Sequence, residues 1–255
     1  LEIFALLSVV LILMVVVIID DLLGWRNKGL SKRSRILLAL IASIPLVVIN
    51  AGSSTMNFPF LGEVNLGILY PLLFIPIGIL GATTTYNFLA GFNGLEAGQG
   101  ILILTFLSYV AYITGSPWLS VVGLIMVAAL FGFLYYNRYP AKIFPGDSLT
   151  WTIGALIAGM AILGNFEKIA VFIFMPYIIE FFLKVRGKFA KTSFAKPNKD
   201  GSLEMPYKNI YGLEHFAIYI LKKIKQNKKV YERDVVYLIH GFQIFLILLA
   251  WILFI

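Results

Sequence analysis

The chain has 255 residues, of which 60% are hydrophobic and only 13% are charged. Soluble domains carry about 25% charged residues, so a chain of this composition needs lipid to cover much of its apolar surface. It contains no cysteine, which excludes disulfides, thiolate chemistry and Cys-ligated metals. The net charge of +8 could indicate nucleic acid, but its distribution along the chain indicates a membrane orientation, and no nucleic acid partner is expected.

Eight apolar segments approach the roughly 20 residues that a helix needs to cross a bilayer. In chain order they are 2–19, 33–50, 66–88, 99–114, 118–136, 149–164, 167–185 and 236–255. Most are apolar on all sides, which predicts an all-α, polytopic membrane helical bundle that forms one domain over 1–255. Between the last two spans, 186–235 is a polar excursion. We expect it to be irregular around 197–201 and to form an amphipathic, basic surface helix over about 213–225.

The loops alternate sharply in charge. All but one of the 21 Lys and Arg residues fall in one set of loops, and the exception is Lys168. The positive-inside rule then places the basic loops in the cytoplasm and both chain ends outside. The chain opens in an apolar run without Met, and we expect that further residues precede Leu1.

Asp20 and Asp21 follow the apolar run of the first span. Carboxylates at the edge of hydrocarbon are costly and often functional. One member of an adjacent pair can ligate a metal while the other accepts a proton. A solvated helix end explains the pair equally well.

A second polar cluster spans 87–99, where Asn87, Asn93 and Glu96 accompany three glycines at the end of a span. Close helix packing explains glycines in membrane helices, but it does not explain two amides and an acid together. No strand precedes the cluster and no Gly-Lys-Ser/Thr occurs in it, so neither the Rossmann fingerprint nor the P-loop applies.

A third cluster, 137–147, ends in Asp147. A short basic turn with Pro and Gly breakers explains most of it, but the acid is a surplus feature suited to Mg²⁺. In the long loop, Lys188, Lys191 and Lys196 could hold phosphate, although such lysines commonly serve topology and anionic lipid.

All these clusters fall on the predicted cytoplasmic face. Acids for a divalent metal, together with cations for phosphates, are typical of phosphoryl transfer. A transporter would place its polar residues near the bilayer midplane, where these spans are almost free of ionisable groups. A transporter or scaffold therefore stays as the remote alternative.

At these residues the chain resembles the polyprenyl-phosphate N-acetylhexosamine-1-phosphate transferase superfamily. Within it, the chain is most similar to the UDP-N-acetylglucosamine (UDP-GlcNAc)–dolichyl-phosphate GlcNAc-1-phosphotransferase branch of eukaryotes and archaea. The matching segments are 20–28, 87–99, 137–147 and 201–205. The family usually has ten spans, so the resemblance implies that about two spans are missing before the first one here.

The resemblance also implies roles. Asp147 and Asn87 would hold Mg²⁺, or alternatively Mn²⁺, with the donor diphosphate. Asp20 or Asp21 would prepare the lipid phosphate for attack, so the three acids are the expected catalytic residues. The expected substrate-binding residues are Trp25, Lys28, Asn93, Glu96, Phe144, Lys191 and Lys196. Among them, Lys28 would contact phosphate, and Asn93 and Phe144 would recognise uridine.

The implied reaction is GlcNAc-1-phosphate transfer from UDP-GlcNAc to dolichyl phosphate, the tunicamycin-sensitive first step of N-glycan assembly. The loop 186–198 would close over the amino sugar, and a homodimer is plausible by analogy. The active site would face the cytoplasm, at an archaeal plasma membrane or the endoplasmic reticulum. The open alternative keeps the chemistry but uses another UDP-amino sugar or undecaprenyl phosphate. The mechanism, direct attack or an aspartyl intermediate, also stays open.

Overall fold

The computed structural model describes residues 1–26, 29–58 and 62–255, with only the backbone at 25–26 and 57–58. Its helices are α1 (Glu2–Arg26), α2 (Lys32–Ala42), α3 (Ile44–Val48), α4 (Ile75–Tyr86), α5 (Leu95–Ile113), α6 (Pro117–Asn137), α7 (Asp147–Gly164), α8 (Glu167–Ile173), α9 (Met175–Arg186), α10 (Leu213–Ile224) and α11 (Glu232–Phe254). A π-helical turn, Tyr70–Phe74, leads into α4. The strands are β1 (Thr55–Phe58), β2 (Gly62–Asn65), β3 (Lys196–Pro197) and β4 (Leu203–Glu204).

Five helices within the described ranges are long and apolar enough to cross a membrane: α1, α5, α6, α7 and α11. They correspond to five of the eight predicted spans, and their length matches the hydrocarbon thickness of a bilayer. Helices dominate the chain and sheet is nearly absent, so the predicted class, a polytopic helical membrane protein, is confirmed.

Two of the other three predicted spans are interrupted helices, and the third is a shorter helix. Segment 33–50 divides into α2 and α3, and segment 167–185 divides into α8 and α9, whereas in segment 66–88 the π-helical turn runs directly into α4. Pro45 and Pro176 each stand in the first turn after an interruption, and Pro71 stands in the π-helical turn. Proline lacks an N–H and clashes with the preceding turn, so a helix restarts at it more readily than it continues through it.

Residue contacts divide the chain into two compact units. Unit 1 comprises Leu1–Thr84, Leu107–Gly123 and Gly146–Ala170, and unit 2 comprises Thr85–Phe106, Leu124–Pro145 and Val171–Ile255. The prediction of one domain over 1–255 stays a prediction.

In unit 1, α1 packs along α7, whose residues are all buried from Thr150 to Leu163. Two glycines of α7 allow close packing, Gly154 against α4 and Gly159 against α1. A Cβ at Gly154 would lie 2.7 Å from the backbone of Thr83, and Leu6 occupies the space that a Cβ at Gly159 would take. Small residues let membrane helices approach closely, so the start of α7 is rigidly placed beside α1.

In unit 2, α10 packs against α9 and α11. Its apolar face, with Leu213, Ala217 and Ile218, is buried, while Phe216 and Tyr219 are exposed. The predicted amphipathic helix over 213–225 is therefore present as α10. A buried amide makes a further contact: Gln243 donates to the carbonyl of Ile173 at 2.9 Å, as buried polar groups require a partner.

Two short antiparallel hairpins complete the chain. In the first, Thr55 of β1 pairs with Asn65 of β2. In the second, Lys196 of β3 pairs with Glu204 of β4. The chain around 197–201 is mostly irregular, as expected: Asp200 accepts hydrogen bonds from Ser202 in the turn that joins β3 to β4.

Candidate active site

Three carboxylates meet in unit 1 where α1 ends and α7 begins. Asp20 and Asp21 lie in the last part of α1, and Asp147 is the first residue of α7. Arg35 on α2 joins them: its Nε lies 2.6 Å from Asp20 Oδ2 and its Nη1 lies 3.0 Å from Asp147 Oδ2. The structure thus brings all three predicted catalytic acids together, from α1 and α7, with Arg35 of α2 beside them.

Asp20 is the best enclosed of the three, with 3% of its side chain exposed. Besides Arg35, it accepts a hydrogen bond from the backbone N–H of Leu30. Gly29 also lies against it: its φ is +64°, and a Cβ there would lie 2.9 Å from Asp20 Oδ1. Asp20 therefore holds Arg35 and the backbone of residues 29–30 just before α2.

Asp21 is exposed and reaches the start of α7. The residue before that helix is Gly146, which has no side chain to cap it. The backbone N–H of Ser148 donates to the Asp21 carboxylate instead. A carboxylate at a helix N-terminus satisfies free N–H groups and favours the helix dipole. Asp21 thus caps α7 from another helix, while part of its own carboxylate stays exposed to solvent.

The donor chemistry of this cluster fits a hard divalent cation. Three carboxylates surround one arginine among the described side chains, which leaves an excess of negative charge. Mg²⁺ prefers carboxylate oxygen and commonly takes one or two carboxylates, completing its shell with water and phosphate oxygens. In the described ranges no group of three or more His, Asp or Glu side chains has ligand geometry, so phosphate oxygens would have to complete such a shell.

The polar segment 87–99, between α4 and α5 in unit 2, folds around its own side chains. Glu96, predicted to bind substrate, is 2% exposed and accepts the N–H of Gly91 at 2.6 Å. Asn93, predicted to recognise uridine, donates its backbone N–H to Glu232 at 2.5 Å and its amide to the same carboxylate at 3.3 Å. Asn87 lies half-buried at the start of the segment.

The third sequence cluster, 137–147, joins this segment through Asn137. Its side-chain oxygen accepts the N–H of Gly94 at 3.1 Å, and its NH₂ donates to the carbonyl of Ile143 at 2.9 Å. Phe144, the other predicted uridine contact, follows directly and is exposed. Two of the motifs recognised in the sequence are therefore held together by a single buried amide.

The predicted lysines of the long loop are exposed. Lys191 lies over the rings of Tyr207 and Tyr211, at 4.9 and 5.9 Å from their centroids, as cation–π contacts require. Lys196 stands in β3. Lys28 and the side chain of Trp25 lie outside the described residues.

Asn87 belongs to unit 2 and Asp147 to unit 1, so their predicted sharing of a metal stays a prediction. The roles of the other predicted substrate-binding residues also stay predictions. What the structure adds to them is a set of hydrogen-bonding partners in each unit.

Sequence reasoning missed four charged residues. Arg35 was counted only as a topological charge, although it pairs with Asp147 across 112 positions. Glu180 and Lys184 form a buried ion pair on α9, with Nζ 3.3 Å from Oε1. Their spacing of four residues inside an apolar run was the available signal. Glu214 is fully buried near them, and burial followed by repulsion from Glu180 raises its pKa well above the ordinary value.

Comparison with known proteins assigns the chain to a family. The model of glycosyl transferase family 4 matches residues 3–165. A Saccharolobus solfataricus protein, provisionally named UDP-N-acetylglucosamine–dolichyl-phosphate N-acetylglucosaminephosphotransferase, is 35% identical over 92% of this chain and 70% of its own length. A Sulfolobus acidocaldarius protein with the same provisional name is 34% identical over 91% and 68%.

The likeness extends to a eukaryote. The Dictyostelium discoideum protein named UDP-N-acetylglucosamine–dolichyl-phosphate N-acetylglucosaminephosphotransferase is 34% identical over 65% of this chain and 47% of its own length. The family model covers both Asp20–Asp21 and Asp147, the acids that Arg35 gathers in unit 1. The chain is an integral membrane protein that belongs to glycosyl transferase family 4.

Proposed function

We propose that this protein transfers GlcNAc-1-phosphate from UDP-GlcNAc to dolichyl phosphate, giving lipid-diphosphate-GlcNAc and UMP. The observation that carries the proposal is the cluster of Asp20, Asp21 and Asp147 around Arg35 at the ends of two membrane helices. A site at a helix end can meet a soluble nucleotide and a lipid-anchored phosphate at once. The names of the archaeal and Dictyostelium relatives support the same substrates.

In this reaction an oxygen of the lipid phosphate bonds to the β-phosphorus of UDP-GlcNAc. The bond from that phosphorus to the oxygen bridging to the α-phosphate breaks, and UMP leaves. Asp21 is the acid suited to accept the proton of the lipid phosphate, because it is exposed and still has oxygen accessible beyond its contact with Ser148. Asp20 is enclosed by Arg35 and Leu30, which suits it to positioning.

Asp147, half-exposed and at the start of α7, would hold a Mg²⁺ ion, or alternatively Mn²⁺. Bound there, the ion would neutralise charge on the donor diphosphate. Arg35 already contacts Asp147, and its guanidinium fork is suited to phosphate oxygen as well as to carboxylate. The protein's own part is to hold acids and guanidinium in fixed geometry before substrate arrives.

We place this site on the cytoplasmic face, because the charge of the loops next to it follows the positive-inside rule. The membrane would be an archaeal plasma membrane or, in a eukaryote, the endoplasmic reticulum. A homodimer is part of the proposal only by family analogy.

The test is a transfer assay on membranes containing the full chain. With labelled UDP-GlcNAc, dolichyl phosphate and Mg²⁺, we expect a labelled lipid that is lost with chelator, with tunicamycin and in the Asp147→Asn variant. Parallel reactions with other UDP-amino sugars and with undecaprenyl phosphate determine the substrate pair. A preference for one of these would redirect the proposal to the same chemistry in surface-polysaccharide initiation.

The absence of lipid product with every donor and acceptor would overturn the enzyme proposal. A transporter would instead move substrate with Asp147→Asn at the wild-type rate, since it needs no metal-binding acid at this position. The same membranes can be used for both measurements.

A further inference from the structure

Unit 2 contains a buried ion pair that the transfer chemistry does not use. On α9, Lys184 and Glu180 have side chains only 9% and 0% exposed, with Nζ 3.3 Å from Oε1. Removing two charges from water is costly, and an apolar pair of similar volume is often as stable. Such a pair is commonly retained because it specifies a particular arrangement, so the partners of Lys184 are informative.

Lys184 reaches into the loop that follows its own helix. Its ammonium donates to the hydroxyl of Ser193. The same hydroxyl lies 3.3 Å from the carbonyl of Phe88 and donates to it. Phe88 adjoins Asn87 at the start of the polar segment 87–99. A relay of two hydrogen bonds thus connects α9 through the loop to this segment.

The next loop residue reinforces the same contact. Phe194 packs its ring against Gly91, where an added Cβ would lie 2.7 Å from Phe194 Cε1. The φ of Gly91 is +107°, and its N–H is held by Glu96. One polar and one aromatic residue in succession therefore seat the loop on residues 88–91.

The far end of the loop is tied to the same pair. Glu180 Oε2 accepts the N–H of Leu213 at 2.6 Å, at the start of α10. Gly212 precedes it and leaves no room for a side chain, because its Cβ would lie 2.8 Å from Glu214 and 3.2 Å from Glu180. The pair on α9 therefore holds the loop at residue 193 and again at residue 213.

We propose that Lys184 and Glu180 are positioning residues that seat the loop 187–212 on the polar segment 87–99 and thereby hold the donor-binding conformation. This inference rests on the proposed function, because it assigns the polar segment to the sugar nucleotide. Lys184 touches no substrate in this account, and its effect passes through Ser193. Loss of the two relay hydrogen bonds should weaken binding of the donor UDP-GlcNAc and leave binding of the lipid acceptor unchanged.

The decisive comparison is Ser193→Thr against Ser193→Val. The two side chains have nearly the same shape, but only Thr keeps the hydroxyl that links Lys184 to Phe88. With Val we expect the KM for UDP-GlcNAc to rise about ten-fold, the size expected for losing a hydrogen bond to a charged group. The kcat and the KM for dolichyl phosphate should stay near wild type, and Thr should restore the donor KM.

Lys222→Ala serves as the matched control, because it removes another lysine of this region, one paired with exposed Glu204. It should leave kcat and the KM values for UDP-GlcNAc and dolichyl phosphate unchanged. Equal donor KM values for Thr and Val would overturn the inference. So would a fall in kcat, or a parallel rise in both KM values, because either indicates general structural support.

A second measurement does not depend on transfer. Trypsin can cut the loop at four exposed lysines: Lys188, Lys191, Lys199 and Lys208. In the detergent-solubilised full chain, the loop of the Ser193→Val variant should be cut several-fold faster than that of the Ser193→Thr variant. Equal cleavage rates for the two variants would overturn the seating of the loop, even if the protein transfers no sugar phosphate. If Ser193→Val is cut faster but the protein has no transfer activity, the seating stands and only its role in donor binding is overturned.

Discussion

Two helices, α7 in unit 1 and α10 in unit 2, begin by the same device. Each follows a glycine that has no side chain to cap the helix, Gly146 or Gly212. Each is capped instead by an acid from another helix. Asp21 accepts the N–H of Ser148, and Glu180 accepts that of Leu213.

The surroundings of the two caps differ. Asp21 is exposed, and its neighbours Asp147 and Arg35 are partly open to solvent. Glu180 is fully buried, with Lys184 and Glu214 beside it. The same local device therefore serves a candidate reaction site where its neighbours stay accessible, and an internal support where they do not. Exposure of the neighbouring charges, rather than the cap itself, separates the two roles.

Glu180→Ala should have the largest effect on stability. The change leaves Lys184 buried without its partner, which typically costs about 3–5 kcal/mol of unfolding free energy. Thermal unfolding in detergent measures it. The double variant Glu180→Gln with Lys184→Met removes both charges and should recover most of the loss. If the single variant unfolds like wild type, the internal support is not at Glu180.

Asp147→Asn should have the opposite profile. It keeps the shape of the side chain but removes the charge that faces Arg35, so turnover should fall about 10²–10³-fold, as for other preorganised electrostatic groups. Thermal unfolding should change little, because Asp147 is partly exposed. A large loss of stability with normal turnover per folded molecule would mean that the acids of unit 1 have a structural role, like the buried Glu180–Lys184 pair of unit 2.

Glu214→Gln tests the buried charges of unit 2 through the pH dependence of stability. Burial and Glu180 raise the pKa of Glu214 above its ordinary value of 4.5, and Lys184 and Glu96 also face it. Between the ordinary and the raised pKa the folded protein binds more protons than the unfolded chain. Stability is therefore full below the ordinary pKa and falls as pH rises, by at most about 1.4 kcal/mol per pH unit.

Glu214→Gln keeps the donor capacity of the protonated acid and removes this slope. Unfolding measured from pH 4 to pH 8 should show the variant equal to wild type at the acid end and more stable at the alkaline end. Parallel curves for the two proteins would mean that Glu214 does not gain a proton on folding.

Asp21→Ala should have a modest effect on stability, since loss of an N-cap typically costs about 0.5–2 kcal/mol. Turnover should nevertheless fall much further than stability, because the proton acceptor is lost. Asp21→Asn keeps an oxygen for Ser148 and should restore stability without restoring turnover. If Asn restores both, Asp21 acts only as a cap.

The sequence predicts the long helices well, because an uninterrupted apolar run has one stable form in a bilayer. It also predicts α10 from its amphipathic period. It does not predict the breaks at Pro45 and Pro176, since prolines are tolerated in membrane helices and only packing decides whether the helix restarts. The hairpin of β1 and β2 has no comparable periodic signal.

The acids of the candidate site were visible as surplus charges, and their grouping followed from topology. Arg35, the partner of Asp20 and Asp147, was not recognisable, because it stands in a basic run whose members look alike in the sequence. The burial of Glu214 was equally hidden, because its position on α10 becomes interior only when α9 and α11 pack around that helix. Pairing over long separations depends on tertiary structure, which composition and spacing do not contain.

Arg35 gives unit 1 a built-in counter-ion. A guanidinium shared between Asp20 and Asp147 lets the acids stand close together without any ligand. An incoming cation at Asp147 would then exchange with an existing partner instead of filling an open negative site. Its affinity would measure the difference between two partners, and the released guanidinium would become available for the phosphate that arrives with it.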